Sequence, residues 1–238
     1  MKLYAVINGD VIGSTKMSET RREHYLNYLK NGFDILKKDK ALGVIRNFEM
    51  YRGDSFQGAL EKPEKALRVV LLLRSLSRMV QPTKIKVNTK TRKAFINSAF
   101  DVTDLRIAVG IGTISKLNNK LMESDGEAFH RSGRLIDSMK KPGLNLAIAT
   151  SSEEVNEELE ASWGIIDTIV NKWTASQAEV VYYSLIGYSQ IQIANNQLKA
   201  SPSAVNQRLK ASGWSALEKM ILYFERTILT KINNGAIL

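Results

Sequence analysis

The chain has 238 residues, with 34 Lys and Arg against 24 Asp and Glu, and a formal net charge of +10 at pH 7. It contains no cysteine, which excludes disulfides, thiolate metal sites and cysteine nucleophiles. No apolar run approaches the roughly 20 residues that cross a bilayer, and no small-residue cleavage site follows the first apolar stretch. These features predict a globular cytoplasmic protein without a membrane segment.

The positive charge is unevenly distributed along the chain. Residues 1–150 carry 27 Lys and Arg against 15 Asp and Glu, whereas residues 151–238 carry 7 against 9. The segment 84–93 alone holds five basic residues and no acid. Such a run is either a solvated loop or a surface for an anionic partner such as nucleic acid, and the sequence leaves both interpretations open.

The first third of the chain alternates strand-like and helix-like patterns. Residues 3–9 form an apolar run bounded by turn residues, which predicts a buried strand. Residues 18–38 carry apolar side chains at helical spacing, which predicts an amphipathic helix. The runs GVIRNFEMY and SFQGAL follow, and they predict a hairpin that turns at RGD.

The same alternation continues as far as residue 150. A helix is predicted over 61–80, with Pro63 in its first turn, where the missing N–H costs nothing. Segment 83–101 has no helical or strand period. Three further elements are predicted: a strand over 105–115, a helix over 127–141 that stops at Pro142-Gly143, and a strand in LNLAIAT. This order predicts an α+β sandwich of the ferredoxin-like kind, with helices on one face of an antiparallel-containing sheet.

After residue 150 the character of the sequence changes, and from Trp173 onward the patterns are helical only. The change of pattern predicts two domains, an α+β domain over 1–170 and a helical module over 171–238. Short helices are predicted within the module over 177–185, 190–198 and 203–210, and a longer helix over 216–229.

The three short helices resemble a bacterial helix-turn-helix of the sigma-factor or response-regulator type. In that interpretation Val205 and Leu209 face inward, and the third helix presents its polar side to the major groove of DNA. The residues of that side are Ser203, Asn206, Gln207 and Lys210. From residue 174 the module has only six Lys and Arg against three Asp and Glu, so DNA binding would favour a dimer. The alternative is a three-helix interaction module that never touches DNA.

Two carboxylates stand at the ends of predicted strands. Asp10 ends the first strand, and Asp54 lies in the hairpin turn RGDS. If the hairpin strands flank the first strand, the two carboxylates meet at one edge of the sheet, where hard oxygen ligands suit Mg²⁺ and a triphosphate. The GST that follows Asp10 leads into a helix, and backbone N–H groups at such a start hold phosphate. Taken singly, each aspartate is also compatible with a turn or cap residue.

His130 and Arg134 lie four residues apart at the start of a predicted helix and therefore share one face. The planar fork of an arginine suits the oxygens of a transferring phosphate. The alternative is a solvated helix face with an intrahelical pair.

Four segments, in this order along the chain, resemble the catalytic domain of class III nucleotidyl cyclases. They are GDVIGST, RGDSF, LRIAVGIG and GEAFHRSGR, and together they cover about residues 1–150. The whole chain is also similar to the small bacterial SatD family, whose members begin with the signature Gly-Asp-x-x-Gly-Ser.

The cyclase resemblance implies functional roles for individual residues. It implies that Asp10 and Asp54 bind Mg²⁺ or Mn²⁺ together with a purine nucleotide, that Arg134 stabilises the transition state, and that the site forms across a homodimer interface. The implied phosphate cradle comprises Ile12, Gly13, Ser14 and Thr15.

The sequence departs from the cyclase pattern at the base-reading and catalytic positions. His130 replaces the transition-state asparagine of the family. Met50 and Glu123 occupy the positions that read the nucleotide base, and Met50 offers no hydrogen bond to a base edge. The residues implied for metal and triphosphate binding therefore match the family pattern better than the residues implied for cyclisation do.

Three hypotheses about function follow. The first is a DNA-binding regulator whose cyclase-like domain binds a nucleotide with Mg²⁺. The second is a nucleotidyl cyclase, or another enzyme that processes nucleoside triphosphates, with the helical module serving assembly. The third is a domain that has kept the fold and lost the ligand, against which Asp10, Asp54 and Arg134 argue.

Overall fold

The computed structural model describes residues 1–51, 53–80, 103–139 and 143–237. The basic segment 84–93, the aperiodic segment 83–101 around it and the predicted helix stop at Pro142 lie outside the described residues. The strands are β1 (Tyr4–Ile12), β2 (Val44–Tyr51), β3 (Ser55–Leu60), β4 (Asp104–Gly112) and β5 (Leu146–Ala149).

Helices cover most of the remaining described residues. They are α1 (Glu19–Lys38), α2 (Ala66–Met79), α3 (Glu127–Ser138), α4 (Glu153–Val170), α5 (Ala175–Leu185), α6 (Gln190–Gln192, continuing as a π-helix over Ile193–Leu198), α7 (Pro202–Ala211) and α8 (Trp214–Asn233). Within the described ranges, every helix and strand that the sequence predicts is present, with shifted ends. None of the described helices is both long enough and apolar enough for a bilayer span.

The five strands form one sheet in the order β2-β3-β1-β4-β5. The central strand β1 is antiparallel to both of its neighbours, β3 and β4, while the edge strand β5 is parallel to β4. The β2–β3 hairpin therefore flanks the first strand, which is the arrangement that a meeting of Asp10 and Asp54 at one edge requires. The structure confirms a mixed α+β architecture built on an antiparallel-containing sheet.

The strand β1 is longer than its sequence pattern indicates. The prediction that the strand ends at Asp10 was wrong, because Asp10 is paired with Ser55 on one side and Arg106 on the other and the strand runs on to Ile12. Pairing with β4 continues to Ile12, which lies opposite Asp104. Hydrogen bonds from two neighbouring strands extend β1 through residues that have turn-like composition.

The two faces of the sheet are covered by different helices. One face packs on α1 and α2, whereas Val6 of β1 belongs to a small cluster with Ala128 and Phe129 of α3. Because alternate residues of a strand point to opposite faces, α3 lies on the other side of the sheet. The prediction of helices on one face was wrong for α3. Gly110 of β4 allows the close approach, since a Cβ there would lie 2.3 Å from the carbonyl oxygen of Ala128.

The main hydrophobic core continues from the sheet into the C-terminal helices. Buried residues of α2, α4, α5 and α8 belong to the same cluster as those of β1 and β4. Val170 and Trp173, on either side of the predicted domain boundary, are both buried in this cluster. Of the helices after residue 170, α5 and α8 therefore complete the core that begins in the sheet.

A second, small core lies among the three short C-terminal helices. It consists of Val180 of α5, Ile193 and Ala194 of α6, and Val205 and Leu209 of α7. The inward orientation predicted for Val205 and Leu209 of α7 is confirmed. Side-chain caps begin each of the three helices, from Thr174, Ser189 and Ser201 respectively.

Candidate functional site

Asp10 lies within the central strand, where it forms an ion pair with the neighbouring strand. Nη1 of Arg106 on β4 donates to Oδ2 of Asp10 over 3.2 Å, and both side chains are about three-quarters buried. The pair follows from the register, which places the two residues directly opposite each other. A carboxylate and a guanidinium therefore stand side by side at this end of the sheet.

The segment after β1 turns toward the β2–β3 hairpin. Gly13 adopts a left-handed conformation with φ of 72°, and no other group lies within 4 Å of the place where its Cβ would be. A short 3₁₀ turn, Ser14–Lys16, follows, and the buried Ser14 Oγ donates a hydrogen bond to Oδ2 of Asp54. The N–H groups at the start of such a turn have no acceptor within it. Thr15 is exposed beside them.

A further arginine lies against the β2–β3 turn. A Cβ on Gly53 would lie 2.7 Å from Nη2 of Arg22, so the Arg22 guanidinium of α1 lies directly against the residue that precedes Asp54. Nε of Arg22 and Nε of Arg106 are buried, and neither has a hydrogen-bond acceptor among the residues that the structure describes. Two guanidinium groups with unused donors therefore flank the region of the two carboxylates.

The two carboxylates and two guanidinium groups at this end of the sheet are suited to binding an anion together with a cation. In the described part of the chain, no three His, Asp or Glu side chains cluster as a metal site would require. Mg²⁺ retains several waters and needs only one or two protein carboxylates when phosphate oxygens complete its shell. Asp10 and Asp54 fit that ligand requirement, and the unused arginine donors fit phosphate.

The structure does not bring the two predicted residues of α3 to the carboxylates. Nε2 of His130 pairs with Oδ1 of Asp125, just before the helix, over 2.7 Å. A Cβ on Gly112 would meet the backbone of Ala128, so α3 begins beside the far end of β4. From there α3 runs back along the sheet, because Gly110 lies against both Ala128 and Ser132 and Ser132 accepts a hydrogen bond from Asn8. Arg134 is exposed, and none of the contacts in the described residues joins it or His130 to Asp10 or Asp54.

The two residues at base-reading positions lie on neighbouring segments, β2 and the turn around Met122. Met50 on β2 is partly buried and lines a cavity of about 560 Å³ that also includes Phe33 and Met122. Glu123 is exposed at the end of a 3₁₀ turn, Leu121–Glu123. The carboxylate that fixes this turn is Glu49, which accepts a hydrogen bond from the backbone N–H of Leu121 over 3.0 Å.

A buried polar network that sequence reasoning missed connects the central strand with α3. Asn8 lies on the same face of β1 as Asp10, and its Nδ2 donates to Ser132 Oγ of α3 over 3.0 Å. Its Oδ1 accepts from Nε2 of Gln57 on β3 over 2.8 Å. The signal was present in the sequence, since an amide inside an apolar strand needs a buried partner. A lone arginine in LRIAVGIG was the corresponding signal for Arg106.

The predicted DNA-facing residues are solvent-accessible on α7. Ser203, Gln207 and Lys210 are exposed, and Asn206 is half-buried. Ser203 Oγ lies 3.0 Å from Oγ of the cap residue Ser201. The opposite side of the helix packs into the small three-helix core.

Comparisons with known proteins give a partial structural likeness. No protein-family model matches the sequence, and no curated protein is significantly similar to it. The chain is similar to the adenylyl cyclase CyaB from P. aeruginosa, with 14% identity and a TM-score of 0.37 over 58% of this chain and 72% of that one. It is similar to a bacterial light-regulated adenylyl cyclase, with 14% identity and a TM-score of 0.39 over 63% and 76% of the respective chains. The guanylate cyclase domain of RhGC from Catenaria anguillulae, solved in complex with GTP, gives 16% identity and a TM-score of 0.30 over 58% and 73%.

Proposed function

We propose that the end of the sheet around Asp10 and Asp54 binds the phosphates of a nucleotide together with Mg²⁺ or Mn²⁺. The observation that carries the proposal is the contact from Ser14 to Asp54, which joins the turn after β1 to the hairpin next to Asp10. The resemblance of GDVIGST and RGDSF to the cyclase segments supports the same assignment.

In this proposal the residues divide into two groups. Asp10 and Asp54 would hold the cation, which neutralises phosphate charge when bound. The backbone from Ile12 to Thr15 would accept phosphate oxygens at its N–H groups, and the open space around Gly13 leaves room for a close approach. Arg106 balances the charge of Asp10 in the absence of a cation.

The test is thermal unfolding with ATP or GTP, each in the presence of Mg²⁺, of Mn²⁺ or of a chelator. We expect a metal-dependent rise in Tm, since a ligand at 100 times its Kd adds about 2.7 kcal/mol to stability. The variants Asp10→Asn and Asp54→Asn should each abolish the metal-dependent part. Glu61→Gln, a charge change at a surface pair with Lys2, is the matched control and should retain it.

Either of two results would contradict binding of the nucleotide at Asp10 and Asp54. A rise in Tm that is the same with chelator, or that persists in both aspartate variants, would place nucleotide binding elsewhere on the protein.

A second candidate is turnover of the triphosphate by a homodimer. The observation that favours it is the exposure of His130 and Arg134 on the outer side of α3, where Nε2 of His130 pairs with Asp125 and with neither carboxylate of the site. A second copy would have to supply them. Mixing Asp54→Asn protein with Arg134→Ala protein should then restore product formation that neither variant shows alone. Mixed samples as inactive as the separate variants would exclude a shared site.

A third candidate is DNA binding by the helical module, with residues 1–170 as its nucleotide-sensing part. The observation that favours it is the exposed polar side of α7 opposite a packed apolar side. In a mobility-shift assay on genomic fragments, Lys210→Ala should weaken binding to all fragments, while Gln207→Ala should change which fragment is preferred. Equal behaviour of wild type and both variants would leave α7 with a protein-interaction role.

A further inference from the structure

Among the described strands, β4 alone holds the last two residues of β1. Pairing of β1 with β3 ends at Asp10, which lies opposite Ser55. Pairing with β4 continues for two more residues and ends with Ile12 opposite Asp104. Ile12 is also the first residue of the implied phosphate cradle. The position of the β4 backbone at Asp104 therefore determines where the cradle begins.

Two buried arginines of α2 hold the side chain of Asp104. Nε of Arg74 donates to Oδ1 of Asp104 over 2.9 Å, and its Nη2 donates to Oδ2. Nη1 of Arg78 donates to the same Oδ2. Oδ1 also accepts from the backbone N–H of Leu105 over 2.8 Å, so the carboxylate is attached to its own strand. Charge-assisted hydrogen bonds are strong, and together they fix this end of β4 against α2.

The other donors of Arg78 reach the segment that follows α4. Its Nη2 donates to the carbonyl oxygens of Asn171 over 2.8 Å and of Trp173 over 2.7 Å. Nε1 of Trp173 donates in turn to the backbone oxygen of Ser212, at the end of α7, over 2.8 Å. Arg78 therefore lies between the strand end that leads to the cradle and the helices after residue 170.

The phosphate cradle has a second attachment at Ser14, whose Oγ donates to Oδ2 of Asp54. Gly13 lies between this attachment and Ile12, and it has no side chain that could add a third. The direction of the cradle N–H groups therefore depends on both attachments. A phosphate accepts hydrogen bonds from several such groups at once, so a small displacement at Ile12 weakens its binding.

We propose that Arg78 is a positioning residue for nucleotide binding, which fixes the start of the phosphate cradle through Asp104. This inference rests on the proposed function of the site around Asp10 and Asp54. Within the described residues, the hydrogen bonds of Arg78 go to Asp104 and to two backbone carbonyls, so it acts on the nucleotide through the backbone of β4 and β1. Its replacement should change nucleotide affinity and the local order of residues 11–17.

The test is isothermal titration calorimetry of the full chain with ATP and with GTP in saturating Mn²⁺, at a temperature well below the Tm of each variant. Arg78→Lys keeps the charge but replaces the planar fork, so it does not hold Asp104 and both carbonyl oxygens in the same geometry. We expect the Kd for the nucleotide to rise roughly tenfold. Amide hydrogen exchange of the free variant should be faster over residues 11–17 and unchanged in α8.

A matched control separates positioning from general loss of stability. Ile228→Ala removes a fully buried side chain of α8 and leaves every contact of Arg78 in place. It should lower the Tm by creating a cavity. Its Kd for the nucleotide should stay within about twofold of wild type.

The outcomes distinguish this role from the proposed function. If wild type shows no Mn²⁺-dependent binding of either nucleotide, the proposed function is wrong and the role of Arg78 is wrong with it. If wild type binds and Arg78→Lys binds with an unchanged Kd, only the positioning role is wrong. Equal weakening in Arg78→Lys and Ile228→Ala would also overturn that role. If Arg78→Lys does not fold, Asp104→Asn keeps the shape of the side chain, weakens the same contacts and replaces it in each comparison.

Discussion

Arg74 in α2 donates two hydrogen bonds to the carboxylate of Asp104 at the start of β4, and both side chains are buried. The same guanidinium also donates to Asp167 of α4 and to Oδ1 of Asn171, 2.7 Å away. Burial opposes the positive charge, but Asp104 and then Asp167 outweigh it, so the pKa of Arg74 is raised above its ordinary value. A single charged side chain thus joins the sheet, α2 and the first of the later helices.

Replacing this arginine should strongly destabilise the fold. In Arg74→Met, Asp167 loses its charged partner while Asp104 keeps its contact with Arg78. Breaking a buried pair from one side leaves an uncompensated charge, so we expect the free energy of unfolding to fall by about 3–5 kcal/mol in urea titrations. Adding Asp167→Asn to Arg74→Met should restore part of the loss. A single variant within about 1 kcal/mol of wild type, on the scale of an exposed pair, would contradict this role.

An ion pair between helices should contribute more to the free energy of unfolding than an ion pair at the surface. Glu225 of α8, 13% exposed, accepts from Lys65 over 2.7 Å and from Arg68 over 2.8 Å. Glu61 pairs with Lys2 over 3.2 Å and is 43% exposed. Chemical denaturation should show a loss of about 1–2 kcal/mol for Glu225→Gln and less than about 0.5 kcal/mol for Glu61→Gln. Equal losses would mean that the Glu225 pair is as solvated as the surface pair.

Substitution by alanine at two glycines near α3 should change the stability of the protein in opposite directions. In Gly110→Ala the new methyl would lie 2.3 Å from Ala128 O and 2.5 Å from Ser132 N, so α3 must move away from β4. We expect a loss of about 3 kcal/mol. In Gly133→Ala, within α3, no heavy atom lies within 4 Å of the new Cβ, and helix propensity predicts a gain of about 1 kcal/mol. Thermal melts that rank Gly110→Ala at or above wild type would show that α3 does not pack on this face.

The half-buried Glu179 of α5 should give the protein a specific pH dependence. Burial raises the pKa of its carboxyl, and Arg208 opposes the rise. The ionised form is therefore less favourable in the folded state than in the unfolded state, and this cost is fully present above the raised pKa. It disappears below the ordinary value of about 4.3. Glu179→Gln should accordingly have a higher Tm than wild type at pH 7, and the difference should shrink as the pH falls toward 4.

Glu158 provides a control of opposite sign for that measurement. Its hydrogen bond with Lys231 lowers the pKa of the carboxyl, so the ionised form stabilises the fold above the ordinary value and the benefit is lost as the pH falls through the lowered pKa. Glu158→Gln should therefore have a slightly lower Tm than wild type at pH 7. If both variants shift Tm in the same direction, local charge at these two residues does not set the pH dependence.

Local patterns were sufficient to predict most elements of the fold. The start of α1 follows from Ser18, whose side chain caps the helix by accepting from the N–H of Arg21. The hairpin follows from two strand-like runs that close on Gly53 and Asp54. Both features depend on residues close together in the sequence, which is why periodicity and turn chemistry identify them.

Features that depend on distant residues were missed or wrong. The end of β1 is set by pairing with β4, almost 100 residues away, and the polar composition around Asp10 conceals it. The face on which α3 packs depends on Gly110 accepting a helix backbone, although the small residues at alternate positions of β4 carried that signal. The partners of Arg74 come from two separate segments, the start of β4 and the end of α4, and no spacing rule along the chain joins them to α2.

The inclusion of α8 in the main core determines the order in which the protein is able to fold during synthesis. Leu217 and Phe224 of α8 are buried in the same cluster as Leu67 and Leu71 of α2, which leave the ribosome long before them. Until α8 is made, the nascent sheet and α2 expose apolar surface that only the later helices cover. The sheet alone is therefore a translation intermediate at risk of aggregation and a natural client for chaperones.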